Sequence, residues 1–180
     1  MKSPQSPPPQ LLSLTVLVHL RIPPLLKLPA GALTILREAA RLVLRRPVVG
    51  VAVAARVPDG RWLLIRRADT GEWALPGGTL EWGETIRELI PRELREESGA
   101  NVRSIGSLVG VFSRPDRDVR FHGVTIVVAC DVDEPTAPPV NPLEITEVGL
   151  FADDELPPEM GMGTGDMLQA ARAHGPPVIE

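Results

Sequence analysis

The amino-acid sequence predicts a mixed α/β (α+β) fold, preceded by a separate strand and helix at the N-terminus. Residues 48–57, VVGVAVAARV, form a continuous apolar run that is typical of a strand covered on both faces. Residues 85–99 carry the signals of a helix, and further strands are predicted at 102–112 and 121–131. Strands and helices are therefore mixed, without the regular alternation of a doubly wound parallel sheet.

The N-terminal residues are expected to lie outside the main domain. Residues 1–10, MKSPQSPPPQ, cannot form a packed element, and we expect disorder there. Residues 12–22 alternate between apolar and mostly polar side chains, which predicts a half-buried strand. A signal peptide is the alternative because Lys2 precedes this apolar stretch, but prolines crowd the segment before it.

Residues 31–46 have the apolar spacing of an amphipathic helix with arginines on its other side, and Pro47 ends it. Such a helix can lie on a membrane, but docking on its own domain or on a partner subunit is commoner, so no membrane association is expected. Residues 11–47 are assigned to a strand–helix extension. Because an apolar edge strand tends to pair with another sheet, this extension predicts a homodimer.

The main domain is expected to begin with a hairpin at 48–67, in which Asp59-Gly60 forms the turn. The helix that follows has two end signals. Thr85 and Glu88 have the spacing of a capping box, which starts a helix. Gly99 suits the C-terminal cap of the same helix.

The end of the chain predicts two more elements after a proline-rich loop at 133–142. Residues 144–151 indicate a final strand, and residues 165–174 indicate a final short helix. The main domain is therefore expected to span 48–174, and residues 175–180 are expected to form a tail.

Pro91 falls inside the predicted helix, where it removes the hydrogen bond to the carbonyl of Arg87. A proline in a helix interior costs about 3 kcal/mol or more. Two outcomes are open: the helix kinks, or its regular part begins near Pro91, which would then occupy a first-turn position.

Composition narrows the class of protein and its partners. The chain has 180 residues, 43% hydrophobic and 23% charged, which suits a soluble globular domain with an additional segment. Its net charge of −4 leaves no basic footprint, so no nucleic-acid partner is expected. The single cysteine, Cys130, lies in an apolar run and is interpreted as a packed thiol. One cysteine cannot form an intrachain disulfide, which fits a reducing, cytoplasmic setting.

Three glutamates share one face of the predicted helix. Glu93, Glu96 and Glu97 stand at positions i, i+3 and i+4. Carboxylates this close repel one another unless a cation lies among them, and hard oxygen ligands select Mg²⁺ or Mn²⁺, which favours a phosphate-bearing substrate. The alternative is a solvated, charge-rich helix stabilised by pairs such as Arg92 with Glu96.

Residues 78–100, GTLEWGETIRELIPRELREESGA, resemble the Nudix box: a glycine, five residues, a glutamate, seven residues, then Arg-Glu-aliphatic-x-Glu-Glu-x-Gly-aliphatic. Every charged and glycine position of that box is present. The departure is Ala100, where the family usually has a larger aliphatic residue. Residues 73–78 and 144–151 are also similar to family features. The resemblance covers roughly residues 48–174 and implies an α/β/α sandwich with a mixed sheet.

The resemblance implies an enzyme that hydrolyses a nucleoside diphosphate linked to another group, X, by attack of metal-activated water on the pyrophosphate. It implies that Glu93 and Glu97 are the principal ligands of Mg²⁺ or Mn²⁺. Glu96 would bind directly or through water, and the carbonyl of Gly78 would be a further ligand. The partner is then a small nucleotide substrate.

Other site residues follow from the same resemblance. Arg92 is expected to orient Glu93 or Glu97 or to pair with Glu84, which would serve the cluster or simply favour the helix N-terminus. The box does not fix the general base, which this family often draws from a loop outside the helix. Four candidates stay open: Glu144, Glu147, Asp116 and Asp118.

Pro115 lies fifteen residues past Ala100, a spacing similar to that of the ADP-ribose pyrophosphatase branch. We therefore expect ADP-ribose to be cleaved to AMP and ribose 5-phosphate. Cleavage of a nucleoside triphosphate or another nucleotide sugar is the alternative, and so is nucleotide sensing without catalysis. Arginines are the candidate substrate-binding residues because they can contact phosphates: Arg66, Arg67, Arg114, Arg117 and Arg120.

Overall fold

The computed structural model describes residues 46–118 and 120–180, together with Ile35 and Arg37. The predicted disordered segment at 1–10, the strand at 12–22 and most of the helix at 31–46 lie outside the described residues. The homodimer expected from that extension therefore stays a prediction.

A mixed sheet of eight strands organises the described part of the chain. Its order is β3-β2-β1-β6-β5-β8, with β4 paired to β1 and β7 paired to β2. The pairs β1–β6 and β5–β8 are parallel, and the others are antiparallel. The strands are β1 (Val48–Arg56), β2 (Trp62–Arg67), β3 (Trp73–Ala74), β4 (Gly77–Thr79), β5 (Val102–Phe112), β6 (Gly123–Val132), β7 (Ile145–Phe151) and β8 (Val178–Ile179).

Two helices, α1 (Ile86–Ser98) and α2 (Thr164–Ala173), cover the sheet within the described residues. Consecutive residues of β1 join different cores because side chains alternate across a strand. Val53 belongs to the cluster that contains Leu89 of α1, whereas Ala54 belongs to the cluster that contains Leu168 of α2. The continuous apolar run of β1 therefore reflects burial on both faces, and the predicted α/β/α sandwich with a mixed sheet is confirmed.

Helix α1 has the predicted ends. The carboxylate of Glu88 accepts hydrogen bonds from the backbone N–H of Thr85 at 2.9 Å and from its hydroxyl at 2.7 Å. Gly99 caps the other end in the left-handed conformation, with φ of 66°. The helix runs from Ile86 to Ser98 with Pro91 inside it. The outcome in which regular helix begins near Pro91 is therefore wrong.

The C-terminal residues differ from the tail predicted for 175–180. Val178 and Ile179 form β8, which pairs in parallel with Gly110 and Val111 of β5. The edge of β5 offers unpaired backbone groups, and Gly110 permits the approach because a Cβ there would lie 2.6 Å from the carbonyl oxygen of Val178. A strand of two residues is too short to show the alternation from which a strand is recognised in a sequence.

Two smaller observations concern the class of protein. Cys130 is a buried free cysteine within the core, as predicted for a packed thiol, and burial raises the pKa of its thiol to about 11. In the described residues, neither helix has the length and apolar character needed to cross a bilayer.

Candidate active site

A cavity of about 330 Å³ opens between the N-terminal half of β1, β4, α1 and the start of α2. Its volume lies in the range of small-molecule sites. Side chains of both charges face it, which suits an anionic ligand that binds together with a cation. The charged residues of the lining are Arg67, Glu93, Arg117, Asp118, Arg120 and Glu144.

Glu93 projects from α1 against the backbone of Gly78. A Cβ placed on Gly78 would lie 2.0 Å from Oε1 of Glu93 and 2.5 Å from its Cδ, so the missing side chain makes room for the carboxylate. Oε1 also accepts a hydrogen bond from Nη1 of Arg92 at 2.9 Å. Burial raises the pKa of Glu93, and the charge of Arg92 opposes that rise. Gly78 and Glu93 therefore pack directly against each other.

Glu97 is the buried acid of the site, with 5% of its surface exposed. Its Oε2 accepts a hydrogen bond from the backbone N–H of Gly77 at 2.8 Å. Burial raises the pKa of Glu97 to about 8; the Gly77 N–H opposes the rise, and the negative charges of Glu93 and Glu144 add to it. A cation near these carboxylates would offset both burial and mutual repulsion. The oxygen-only donor set fits a hard divalent ion.

Glu96 is placed differently from the other two glutamates. Its side chain is 51% exposed, and its carboxylate lies 3.5 Å from Nη1 of Arg92. Within the described residues, no three acidic, histidine or cysteine side chains are already arranged to hold a metal ion. The carboxylates of Glu93 and Glu97 each direct an oxygen to a donor of the protein itself, and Glu96 is largely solvated. A bound ion would therefore require those oxygens to turn or to share their donors.

Arg92 connects the loop before α1 to the glutamate face. Its Nε and Nη2 donate to the two carboxylate oxygens of Glu84 at 2.7 and 3.0 Å. Its Nη1 reaches Glu93, so pairing with Glu84 and contact with Glu93 occur together. These hydrogen bonds lower the pKa of Glu84 and raise that of Arg92. A forked arginine contact of this kind restricts the orientation of both carboxylates.

Three of the five candidate arginines line the cavity, each paired with acidic groups. Arg67 donates to Asp69 at 2.9 Å, and Arg120 donates to Asp69 at 2.7 Å. Arg120 also holds both carboxylate oxygens of Asp118, which lowers the pKa of that acid. The third arginine, Arg117, is almost fully buried, with 9% of its side chain exposed.

The other two arginines lie outside the cavity lining, and so do two of the candidate general bases. Arg66 donates to Glu147 at 3.0 Å, and Arg114 donates to Asp116 at 3.3 Å. Both pairs are exposed, and in each pair the acid compensates the charge of its arginine. Of the four base candidates, Glu144 and Asp118 are the two that reach the cavity.

Sequence reasoning missed the apolar wall of the cavity. Thr164 and Met167 reach it from the start of α2, Met162 from the residues just before that helix, and Phe121 from the loop before β6. The guanidinium of Arg120 lies 5.4 Å from the ring centroid of Phe121. The adjacency of an arginine and an aromatic residue in one loop is the signal that could have identified Phe121. The residues of α2 carry no comparable signal, because only the packing of that helix brings them to the cavity.

Comparison with known proteins relates this domain to one family. The family model described as the NUDIX domain matches residues 45–171, well over half of the 180-residue chain. An ADP-ribose pyrophosphatase from Methanocaldococcus jannaschii is 47% identical over 77 residues, which cover 41% of this chain and 45% of that protein. An RNA pyrophosphohydrolase from Halorhodospira halophila is 44% identical over 83 residues, which cover 43% of this chain and 45% of that protein. The chain thus spans less than half the length of these two relatives.

A solved structure extends the likeness to the whole fold. The MutT NUDIX hydrolase from Burkholderia pseudomallei matches 70% of this chain and 98% of its own, with a TM-score of 0.62 and 32% sequence identity. The box-like spacing, the sandwich around β1 and the extent of the family match agree. This chain belongs to the Nudix family.

Proposed function

We propose that the protein is a metal-dependent pyrophosphohydrolase that cleaves ADP-ribose to AMP and ribose 5-phosphate. One observation carries this proposal: partly buried Glu93 lines, with Gly77 and Gly78, a cavity that arginines also line, and buried Glu97 accepts a hydrogen bond from the backbone N–H of Gly77. Carboxylates suit a hard divalent ion, and arginines suit the phosphates of a nucleotide. Family membership and the similarity to a protein named ADP-ribose pyrophosphatase support the choice of substrate.

In this proposal, Glu93, Glu97 and the carbonyl of Gly78 hold Mg²⁺ or Mn²⁺, and Glu96 assists directly or through water. The ion supplies charge neutralisation at the phosphate oxygens and lowers the pKa of bound water. Arg92 keeps Glu93 oriented through the fork that it also makes with Glu84.

The remaining side chains divide between binding and proton transfer. Arg67, Arg117 and Arg120, which line the cavity, bind the pyrophosphate. Glu144 is the preferred general base, because Asp118 already accepts hydrogen bonds from Arg120 on both carboxylate oxygens. Within the described residues, the hydrogen bonds at Glu144 involve its backbone and not its carboxylate. Its oxygens are therefore available to accept a proton from water.

A second candidate is the cleavage of a nucleoside triphosphate end, favoured by the similarity to an RNA pyrophosphohydrolase. The negative net charge of the chain, −4, gives no support to a large RNA footprint. Nucleotide sensing without catalysis is disfavoured because the glutamates of the box are all retained.

A hydrolysis screen tests the proposal. Full-length protein is assayed with Mg²⁺ and with Mn²⁺ against ADP-ribose, other nucleotide sugars, dinucleoside polyphosphates and nucleoside triphosphates, and the products are separated by chromatography. We expect AMP and ribose 5-phosphate as products, with ADP-ribose the best or second-best substrate. The substrate assignment would be wrong if triphosphates were turned over with a kcat/KM about tenfold higher.

The assembly and the compartment also remain proposals. We propose a homodimer built through residues 11–47 and a cytoplasmic setting, the latter because the single cysteine is buried and free. Light scattering on the full-length protein and on a form lacking residues 1–46 tests the dimer. A monomeric full-length protein refutes it, and an unchanged oligomer after the deletion refutes the role of this segment.

A further inference from the structure

The guanidinium of Arg117 packs against Phe112 and Gly163. The group lies 5.2 Å from the ring centroid of Phe112. On its other side, a Cβ placed on Gly163 would lie 2.0 Å from Nη1 of Arg117, so this glycine leaves the room that the guanidinium occupies. A side chain that is 9% exposed at the wall of a ligand-sized cavity is held more firmly than a surface arginine.

Glu180 holds this guanidinium from the side of β8. Its Oε2 accepts hydrogen bonds from the backbone N–H groups of Ser113 and Arg114, each at 2.9 Å, and from Nε of Arg117 at 2.9 Å. Its Oε1 accepts a further hydrogen bond from Nη2 of Arg117. The backbone N–H of Glu180 donates to the carbonyl of Val111 at 3.1 Å, which anchors the residue to β5.

The two edges of the guanidinium therefore have different partners. Nε and Nη2 are taken up by the bidentate fork with Glu180, whose side chain is 19% exposed. Nη1 pairs with Asp166 at 3.1 Å, and the side chain of Asp166 is 58% exposed. A phosphate oxygen entering the cavity can replace a solvated carboxylate at Nη1 more easily than it can open a bidentate fork.

We propose that Glu180 is a positioning residue for substrate binding: it fixes Arg117 so that Nη1 meets an anionic group of the substrate in the cavity. This inference rests on the proposed function and adds a residue to it from a part of the chain far from the glutamate helix. Because Glu180 acts through binding rather than at the reacting atoms, it should affect KM much more than kcat.

Three substitutions separate this role from a general loss of an ion pair. Glu180→Gln should raise KM for ADP-ribose by roughly tenfold and change kcat by less than about twofold, as loss of binding shared by ground and transition states does. Glu134→Gln is the matched control, since Glu134 forms an exposed pair with Arg61 at 3.0 Å outside the cavity lining; KM and kcat should stay at the wild-type values. Asp166→Asn should leave KM unchanged or lower it, because it removes the group that competes for Nη1.

A double-mutant cycle tests whether Glu180 acts through Arg117. Arg117→Lys keeps the charge but cannot form the fork, so adding Glu180→Gln to it should change KM by less than about twofold. The inference is overturned if Glu180→Gln has the same effect in both backgrounds, or if Asp166→Asn raises KM as much as Glu180→Gln does. Thermal melting of each variant shows that the proteins compared are folded.

The test stays decisive if the proposed substrate is wrong. Should the wild type hydrolyse another phosphoanhydride and not ADP-ribose, the same variants are compared on that substrate. Should it hydrolyse none, the proposed function fails, and calorimetry with ADP-ribose in EDTA decides the inference. Binding about fivefold weaker in Glu180→Gln supports it; equal binding, including no measurable binding by either protein, overturns it.

Discussion

The cavity brings together two charged regions that are built in opposite ways. The acidic region comes from one helix, α1, and the carboxylates of buried Glu97 and partly buried Glu93 have raised pKa values. The basic region comes from two separated parts of the chain, β2 with Arg67 and the β5–β6 connection with Arg117 and Arg120, and each arginine has acidic partners. The acidic region therefore needs a cation from outside, whereas the basic region is already compensated. A metal ion would therefore neutralise the acidic region, whereas a phosphate group would have to replace acidic partners of the arginines.

Removing the charge of the buried Glu97 carboxylate is expected to cause the largest loss of turnover. Glu97→Gln keeps the shape of the side chain and removes a charge proposed to hold the metal, so turnover should fall by on the order of 10² or more. Steady-state assays at saturating Mg²⁺ measure it. Glu96→Gln is the matched variant, and its half-exposed position predicts a smaller loss. Near-normal turnover of Glu97→Gln at saturating metal would show that Glu97 is not a metal ligand that turnover requires.

A methyl group at Gly78 tests the geometry of the acidic region without changing a charge. Gly78→Ala would place a Cβ against the carboxylate of Glu93, so the carboxylate has to move. A displacement of about 1 Å can cost roughly 10²-fold in rate, and we expect a loss of about ten- to a hundredfold in kcat. Gly165→Ala is the control, because its Cβ would meet only the terminal carbon of Met160 at 3.7 Å. If both variants kept wild-type kcat, close packing against Gly78 would have no functional role.

Metal binding should stabilise the folded protein because it relieves the repulsion between Glu93 and Glu97. A ligand at about 100 times its dissociation constant adds about 2.7 kcal/mol to the free energy of unfolding. We therefore expect the thermal midpoint to rise by a few degrees when Mg²⁺ or Mn²⁺ is added to protein treated with EDTA. The double variant Glu93→Gln/Glu97→Gln should lose this rise. A rise of equal size in that variant would place the ion elsewhere.

In the basic region, the pair of Arg117 with Glu180 predicts a smaller effect, on thermal stability, that depends on pH. Hydrogen bonds from Arg117 lower the pKa of Glu180 from 4.5 to about 2. A carboxylate with a lowered folded-state pKa contributes stability above its unfolded-state pKa, and that stability is lost as the pH falls through the folded-state value. Glu180→Gln should therefore melt below the wild type at pH 7, and the difference should shrink between about pH 4.5 and 2. A difference that did not change with pH would mean that the charge of Glu180 is not involved.

The sequence predicted the parts whose signals are local. Thr85, Glu88 and Gly99 mark the ends of α1 by their chemistry alone, and the strand predicted at 102–112 coincides with β5. Helical periodicity placed Glu93 and Glu97 on one face, because residues four positions apart are neighbours on the surface of a helix. It could not separate Glu96 from them. The half-exposed position of Glu96 depends on how α1 is rotated against the sheet.

In the basic region, local sequence signals did not show which arginines reach the cavity. Five arginines were candidates, and the sequence offered no reason to separate Arg66 from Arg67, although they are neighbours in β2. Side chains of successive strand residues point to opposite faces of a sheet, and Arg67 lines the cavity while Arg66 pairs with Glu147 outside its lining. The face that each arginine takes was decided by the register of β2 in the sheet.

The sequence by itself determined the glutamate helix, the capped ends of that helix and the apolar central strand, because each depends on residues within about a dozen positions of one another. Only the tertiary structure decided which charges meet. Glu180 reaches Arg117 across 63 positions because β8 pairs with β5, and Met167 reaches the cavity because α2 packs on the sheet. Such contacts depend on sheet register and helix packing, and a short strand or a loop residue carries no period from which to infer them.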